Sequence, residues 1–118
     1  MTLETLARAL GARVLTATSG GARSIQRVYA GDRISDLVSH ASAAVLLVTN
    51  LATPQFIRAA ALMDASSVCL LNGVAPEPEL LAAAAASGTA LIVSPFDMFE
   101  TCGRLYEQLH QSPRAPLS

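Results

Sequence analysis

Residues 43–110 read AAVLLVTNLATPQFIRAAALMDASSVCLLNGVAPEPELLAAAAASGTALIVSPFDMFETCGRLYEQLH, and this stretch decides the fold. Three short apolar runs, at 43–48, 68–71 and 90–93, alternate with segments of helical character. Each run lacks the polar alternation of a strand with one wet face. Strands of this kind are covered on both sides, so the segment predicts a mostly parallel or mixed sheet between two helical layers, a three-layer α/β/α fold.

The punctuation between the runs agrees with that reading. Thr53-Pro54 opens a helix to about residue 63, because a threonine hydroxyl caps exposed amides and proline suits the first helical position. Asn72-Gly73 turns the chain after the second run, and Pro78 starts an alanine-rich helix that Gly88 closes. Leu80 and Leu81 give that helix little apolar grip, so its alanines pack closely within the chain or at a subunit interface. Ser94-Pro95-Phe96-Asp97 has the form of a shortened capping box, with Ser94 as N-cap, Pro95 first and Asp97 third. Phe99, Cys102, Leu105, Tyr106 and Leu109 are the expected buried stripe of the helix that follows.

Working outward, Leu3, Leu6, Ala7 and Leu10 recur at helical spacing between Thr2 and Gly11. Strands are expected at 13–16 and 24–29, separated by a Thr18-Ser19-Gly20-Gly21 loop, and a short helix at 35–39. One domain over residues 1–111 follows, with a frayed tail at 112–118 that carries Pro113 and Pro116.

Composition limits the chemistry. The chain has 118 residues, a net charge of -1, no tryptophan, and eight basic residues that are all arginine. Without lysine, a Schiff base and a phosphate-binding P-loop are both excluded. The near-neutral balance offers no general attraction to nucleic acid or to an anionic membrane, so neither is an expected partner. Cys69 and Cys102 are too few and too widely spaced for a metal knuckle or redox pair and are expected as structural thiols. His40 and His110 have no ligand partners at metal spacing, so no metal and no cofactor are expected. Residues 1–10 lack a signal-peptide core and no segment reaches the length of a membrane span, which makes a soluble, cytoplasmic protein the expectation.

Ligands of parallel α/β sheets collect beyond the carboxyl ends of the strands. Thr49-Asn50, Asn72-Gly73 and Ser94 with Asp97 fall there, and their convergence would form a crevice. Gly31-Asp32-Arg33 is a second candidate, with Asp32 capping the next helix and Arg33 pairing with Asp36 or meeting a phosphate. Each of these groups also has a local structural reading as a cap, turn or surface pair. No G-x-S-x-G elbow is present.

Three pieces of the chain, LETLARALGARVL, YAGDRISDLVSHA and the run from Val68 to Leu109, resemble in order the small stand-alone proteins of the DRTGG domain family, which is related to the N-terminal domain of HPr kinase/phosphorylase. The strand, small polar residue and F-x-x-x-x-R-L-Y helix of the last piece are the most specific match. The D-R-T-G-G pattern is not present as such: Asn72-Gly73 falls where its T-G-G element would be, and Thr49 to Thr53 occupies the region of its aspartate and arginine. The resemblance implies a three-layer α/β fold, a homodimer, and a regulatory rather than catalytic role beside a partner enzyme. The P-loop of the related kinase lies in a separate C-terminal domain, so kinase activity is not expected. The expected function is a self-associating, non-catalytic module that senses a small anionic or nucleotide-like ligand. A ligand-free structural adaptor is the alternative, and a small enzyme at the strand-end crevice is the least favoured.

Overall fold

Short apolar strands can bury both faces only if helices cover both, and among the described residues five strands and five helices satisfy this. The computed structural model describes residues 1–16 and 24–110. In chain order the elements are α1 (Leu3–Leu10), β1 (Arg13–Thr16), β2 (Arg27–Ala30), α2 (Ile34–Ser39), β3 (Val45–Val48), α3 (Pro54–Leu62), β4 (Ser67–Leu70), α4 (Pro78–Ser87), β5 (Ala90–Val93) and α5 (Met98–His110). The expected loop at 18–21 and the tail at 112–118 lie outside the described residues.

The sheet order is β1-β5-β4-β3-β2. β2, β3, β4 and β5 run parallel, and β1 joins the outside of β5 antiparallel, so the sheet is mixed and mostly parallel. Each parallel step is made through a helix, α2, α3 or α4, and all three lie on one face. Their buried residues, among them Leu37, Phe56, Ile57, Leu80 and Ala84, pack on Val45, Leu47, Val68, Leu70, Leu91 and Val93. On the other face Leu3, Leu6 and Leu10 of α1 and Leu105 of α5 cover Leu46, Val48, Cys69, Leu71 and Ile92. Alternate residues of each central strand thus feed two separate cores, which is why β3, β4 and β5 are buried throughout. Within α4, Ala83 and Ala84 are buried against this core whereas Ala82, Ala85 and Ala86 face outward.

Caps set the helix limits. The Thr2 hydroxyl accepts from the Thr5 amide, the Thr53 hydroxyl from the Phe56 amide, and Gly11 and Gly88 end their helices in the left-handed region. Two expectations are corrected at α5. Ser94 is not its N-cap: the helix begins four residues later, at Met98, and Asp97 Oδ1 accepts from the Glu100 amide at 2.9 Å. The buried stripe is also narrower, because Phe99 and Tyr106 are 87% and 64% exposed while Thr101 and Leu105 are buried. Thr101 is fully buried, with its hydroxyl 2.7 Å from the Ser94 Oγ. Residue 32 is corrected as well: α2 has Arg33 at its N-cap position with no side-chain cap, and the Asp32 carboxylate is engaged elsewhere.

Candidate functional site

The carboxyl ends of β2, β3, β4 and β5 lie along one edge of the sheet, and the polar residues that follow them meet there. The arrangement starts in the backbone. Gly31 N–H donates to Val48 O, Thr49 N–H to Cys69 O, and Ser94 N–H to Leu70 O, each continuing the parallel ladder one residue past its strand. These bonds bring the loops after β2, β3 and β4 into a row.

Side chains then link the row. Asp32 Oδ1 accepts from the Asn50 amide at 3.1 Å, and Asn72 Nδ2 donates to Asn50 Oδ1 at 3.4 Å. All three side chains are exposed, so their remaining donors and acceptors face solvent. Asn72 and Gly73 both adopt left-handed backbone, with φ of 59° and 62°. Asparagine and glycine tolerate that conformation best. This turn is fastened to the loop after β5: Asn72 N–H donates to Phe96 O and Gly73 N–H to Ser94 O, both at 2.8 Å.

Other candidates are spent on structure. Thr49 is fully buried and its hydroxyl accepts from the Leu51 amide. Ser94 is fully buried too, with its Oγ 2.7 Å from the Thr101 hydroxyl and accepting from the Phe96 amide. Asp97 caps α5, as described. Arg33 stands 80% exposed and 4.0 Å from the Asp36 carboxylate, a loose pair that leaves its guanidinium open to a ligand. The structure therefore places Asp32, Asn50 and Asn72 together on the surface, with Arg33 next to Asp32, and turns Thr49 and Ser94 inward.

Beside this row lies a hollow of about 160 Å³ between Asn50, Ala52, Leu71, Asn72 and Val74. It adjoins a second one, of about 290 Å³, that shares Ala52 and Val74 and has Glu77 and Glu79 on its far wall. Arg13 was not a sequence candidate, yet its guanidinium reaches Val74 O at 2.8 Å and so borders the same edge. It does so because β1 is antiparallel: its first residue, Arg13, pairs with Val93, the last of β5. No signal in the sequence marks that orientation. Among the described residues no group of three His, Cys, Asp or Glu side chains is placed to hold a metal.

Of the two thiols, Cys69 is buried just under this edge, where a hydrogen bond from the Ser94 backbone partly opposes the rise that burial imposes. Burial pushes Cys69 up to about 12, with Cys102 adding a smaller push in the same direction. Partial burial raises Cys102 as well. Neither is poised as a thiolate nucleophile.

No family model matches the sequence, and no curated protein matches it. Among solved structures, a crystal structure of the CBS and DRTGG domains of the regulatory region of Clostridium perfringens pyrophosphatase, complexed with the activator diadenosine tetraphosphate, superposes with a TM-score of 0.73. The chain has a fold found within that regulatory region. Identity is 14%, and the match covers 88% of this chain and 45% of the other, so this protein spans less than half the length of the structure it resembles. Among the described residues no helix is long and apolar enough to cross a membrane.

Proposed function

We propose that this protein is a non-catalytic regulatory module that binds a small nucleotide-like anion at the carboxyl edge of its sheet and passes that signal to a partner enzyme. The observation that carries the reading is the row Asp32, Asn50, Asn72 across three adjacent strand ends, held by hydrogen bonds and open to solvent. The two asparagine amides suit a base edge or sugar hydroxyls, because each offers both donors and an acceptor. Arg33, which follows Asp32 in the chain and is largely exposed, suits a phosphate. Thr49, Ser94 and Asp97 support the loops that carry these groups, and Gly31 and Gly73 bring backbone close to the crevice.

The fold supports a regulatory role, since the pyrophosphatase region that shares it was crystallised with a dinucleotide activator. The relation to DRTGG proteins and to the N-terminal domain of HPr kinase/phosphorylase, the homodimer and the cytoplasmic setting belong to the same proposal.

The test is a thermal-shift and calorimetry series with diadenosine tetraphosphate, ATP, AMP and inorganic phosphate on the full chain. At about 100 times its Kd a ligand stabilises the folded state by about 2.7 kcal/mol, a shift easily read. Stabilisation by a nucleotide that Arg33→Ala and Asn50→Asp each weaken is the expected result. Silence from all four probes overturns the ligand and leaves a structural adaptor, and a shift that both variants keep overturns the assignment of this row as the site.

A further inference from the structure

Along the outer side of β2, running away from the ligand row, the sheet ends in a slot. Among the described residues β2 has a strand neighbour on one side only, β3. Arg27 N–H donates to Ala44 O and Gly31 N–H to Val48 O, so the odd-numbered residues of this strand turn their amides toward β3. By the alternation of a strand, Val28 and Ala30 present their N–H and C=O groups to the open side. The register with β3 is unbroken from Arg27 to Ala30, with no bulge and no proline to blunt the edge.

α5 forms a wall along this edge. Cys102, Tyr106 and Leu109 border a groove of about 450 Å³ whose floor is Val28 and Ala30. Tyr106 is 64% exposed. Its ring stacks on His110 at 4.0 Å, and His110 Nδ1 lies 3.0 Å from Tyr106 O, which fixes the imidazole with Nε2 turned away from that bond.

The charge on the rim is one-sided. Arg27 and His110 both line the groove and no carboxylate does. Among the described residues Arg27 makes no ion pair, in contrast to Arg33 and Arg104.

From these observations we infer that the groove takes an extended segment of a partner protein, added to the sheet as a further strand beside β2. Its main chain pairs with Val28 and Ala30, its alternate apolar side chains lie against Tyr106 and Leu109, and an acidic side chain meets Arg27 and His110. Edge pairing supplies affinity independent of sequence, while the apolar wall and the Arg27 guanidinium select the segment. The lining of this groove shares no residue with the row of Asp32, Asn50 and Asn72, so each surface can fail without the other.

The test uses the full chain, isotopically labelled, and two capped synthetic peptides of alternating valine and threonine, one ending in two glutamates and the other in two lysines. The glutamate peptide is expected to shift amide signals of residues 26–30 and 102–110, and to bind more tightly than the lysine peptide. Arg27→Glu, an exposed substitution that leaves the core intact, is expected to weaken the glutamate peptide about three- to tenfold and to favour the lysine one. Val28→Pro removes one pairing amide and is expected to abolish binding of both. Equal binding of the two peptides, or shifts elsewhere only, overturns the inference. So does self-association by light scattering that Val28→Pro abolishes, because a second copy then occupies the edge.

Discussion

The carboxylate of Asp32, on the loop after β2, accepts the backbone amide of Asn50, 18 residues further along at the end of β3. This bond ties together two strand ends that the sequence separates by a whole helix. It also withdraws Asp32 from capping α2, whose first turn keeps no side-chain cap. Asp32→Ala is expected to cost about 0.5–1.5 kcal/mol by urea unfolding, since both groups are exposed and water partly replaces the bond. The same variant is expected to loosen the Asn50 loop, read as faster amide exchange at Asn50 with exchange in β3 unchanged. An unaltered rate at Asn50 would count against the role assigned to the pair.

Asn72 and Gly73 are coupled through their backbone. Asn72→Ala places an ordinary residue at φ 59° and is expected to destabilise by about 1–2 kcal/mol, whereas Asn72→Gly keeps the turn at little cost. Gly73→Ala at φ 62° is expected to cost a similar amount through backbone strain alone, because a Cβ there meets no atom within 4 Å. Asn72→Asp is consequently the better probe of ligand contact. Equal stability of the alanine and glycine variants at position 72 would refute the strain argument.

Ser94 and Asp97 act by different means despite their proximity. Ser94→Ala removes the buried contact with Thr101 and leaves the Phe96 amide without its acceptor, at an expected cost of about 1–3 kcal/mol. Asp97→Ala removes the cap of α5, at about 1 kcal/mol, and is expected to fray the first turn of that helix. Amide exchange at Glu100 separates them: it should accelerate in the Asp97 variant only.

The Cys69 thiol predicts a pH dependence. In the unfolded chain it loses its proton near its ordinary value of 9.0, while in the folded core burial holds the proton until about 12. Between those values the folded state binds more protons than the unfolded one, so its contribution to stability is full below pH 9 and declines as pH rises, by up to about 1.4 kcal/mol per unit. Urea unfolding of the wild type and Cys69→Ala from about pH 8 to about pH 11 checks this. The difference between them should move steadily against the wild type as pH rises; parallel profiles would show that the thiol carries no linkage.

Much of the fold was legible because its signals are local. The apolar runs that became β3, β4 and β5 sit near their expected positions, shifted by two residues or fewer at either end, and Pro78 to Ser87 and residues 90–93 match outright. Prolines, glycines and apolar run length act within a few residues of one another, so a linear reading captures them. β2 was displaced, from 24–29 to Arg27–Ala30, because a partly exposed edge strand lacks the continuous apolar signature of a central one. α5 misled for a similar reason: both Ser94 and Asp97 are competent caps, and only the contact between Ser94 and the buried Thr101 decides between them.

The sequence by itself determined the alternation of strand and helix, the layer architecture that follows from doubly covered strands, and the loops in which polar residues gather. Tertiary structure decided which of those residues face outward. Asp32, Asn50 and Asn72 share one row because parallel strands place their carboxyl ends side by side, whatever their separation along the chain. Thr49 and Ser94 are carried inward by the alternation of the strands they end, and Arg13 arrives at the same edge because β1 runs the other way. Strand order and direction are properties of packing between distant segments, and no local propensity encodes them.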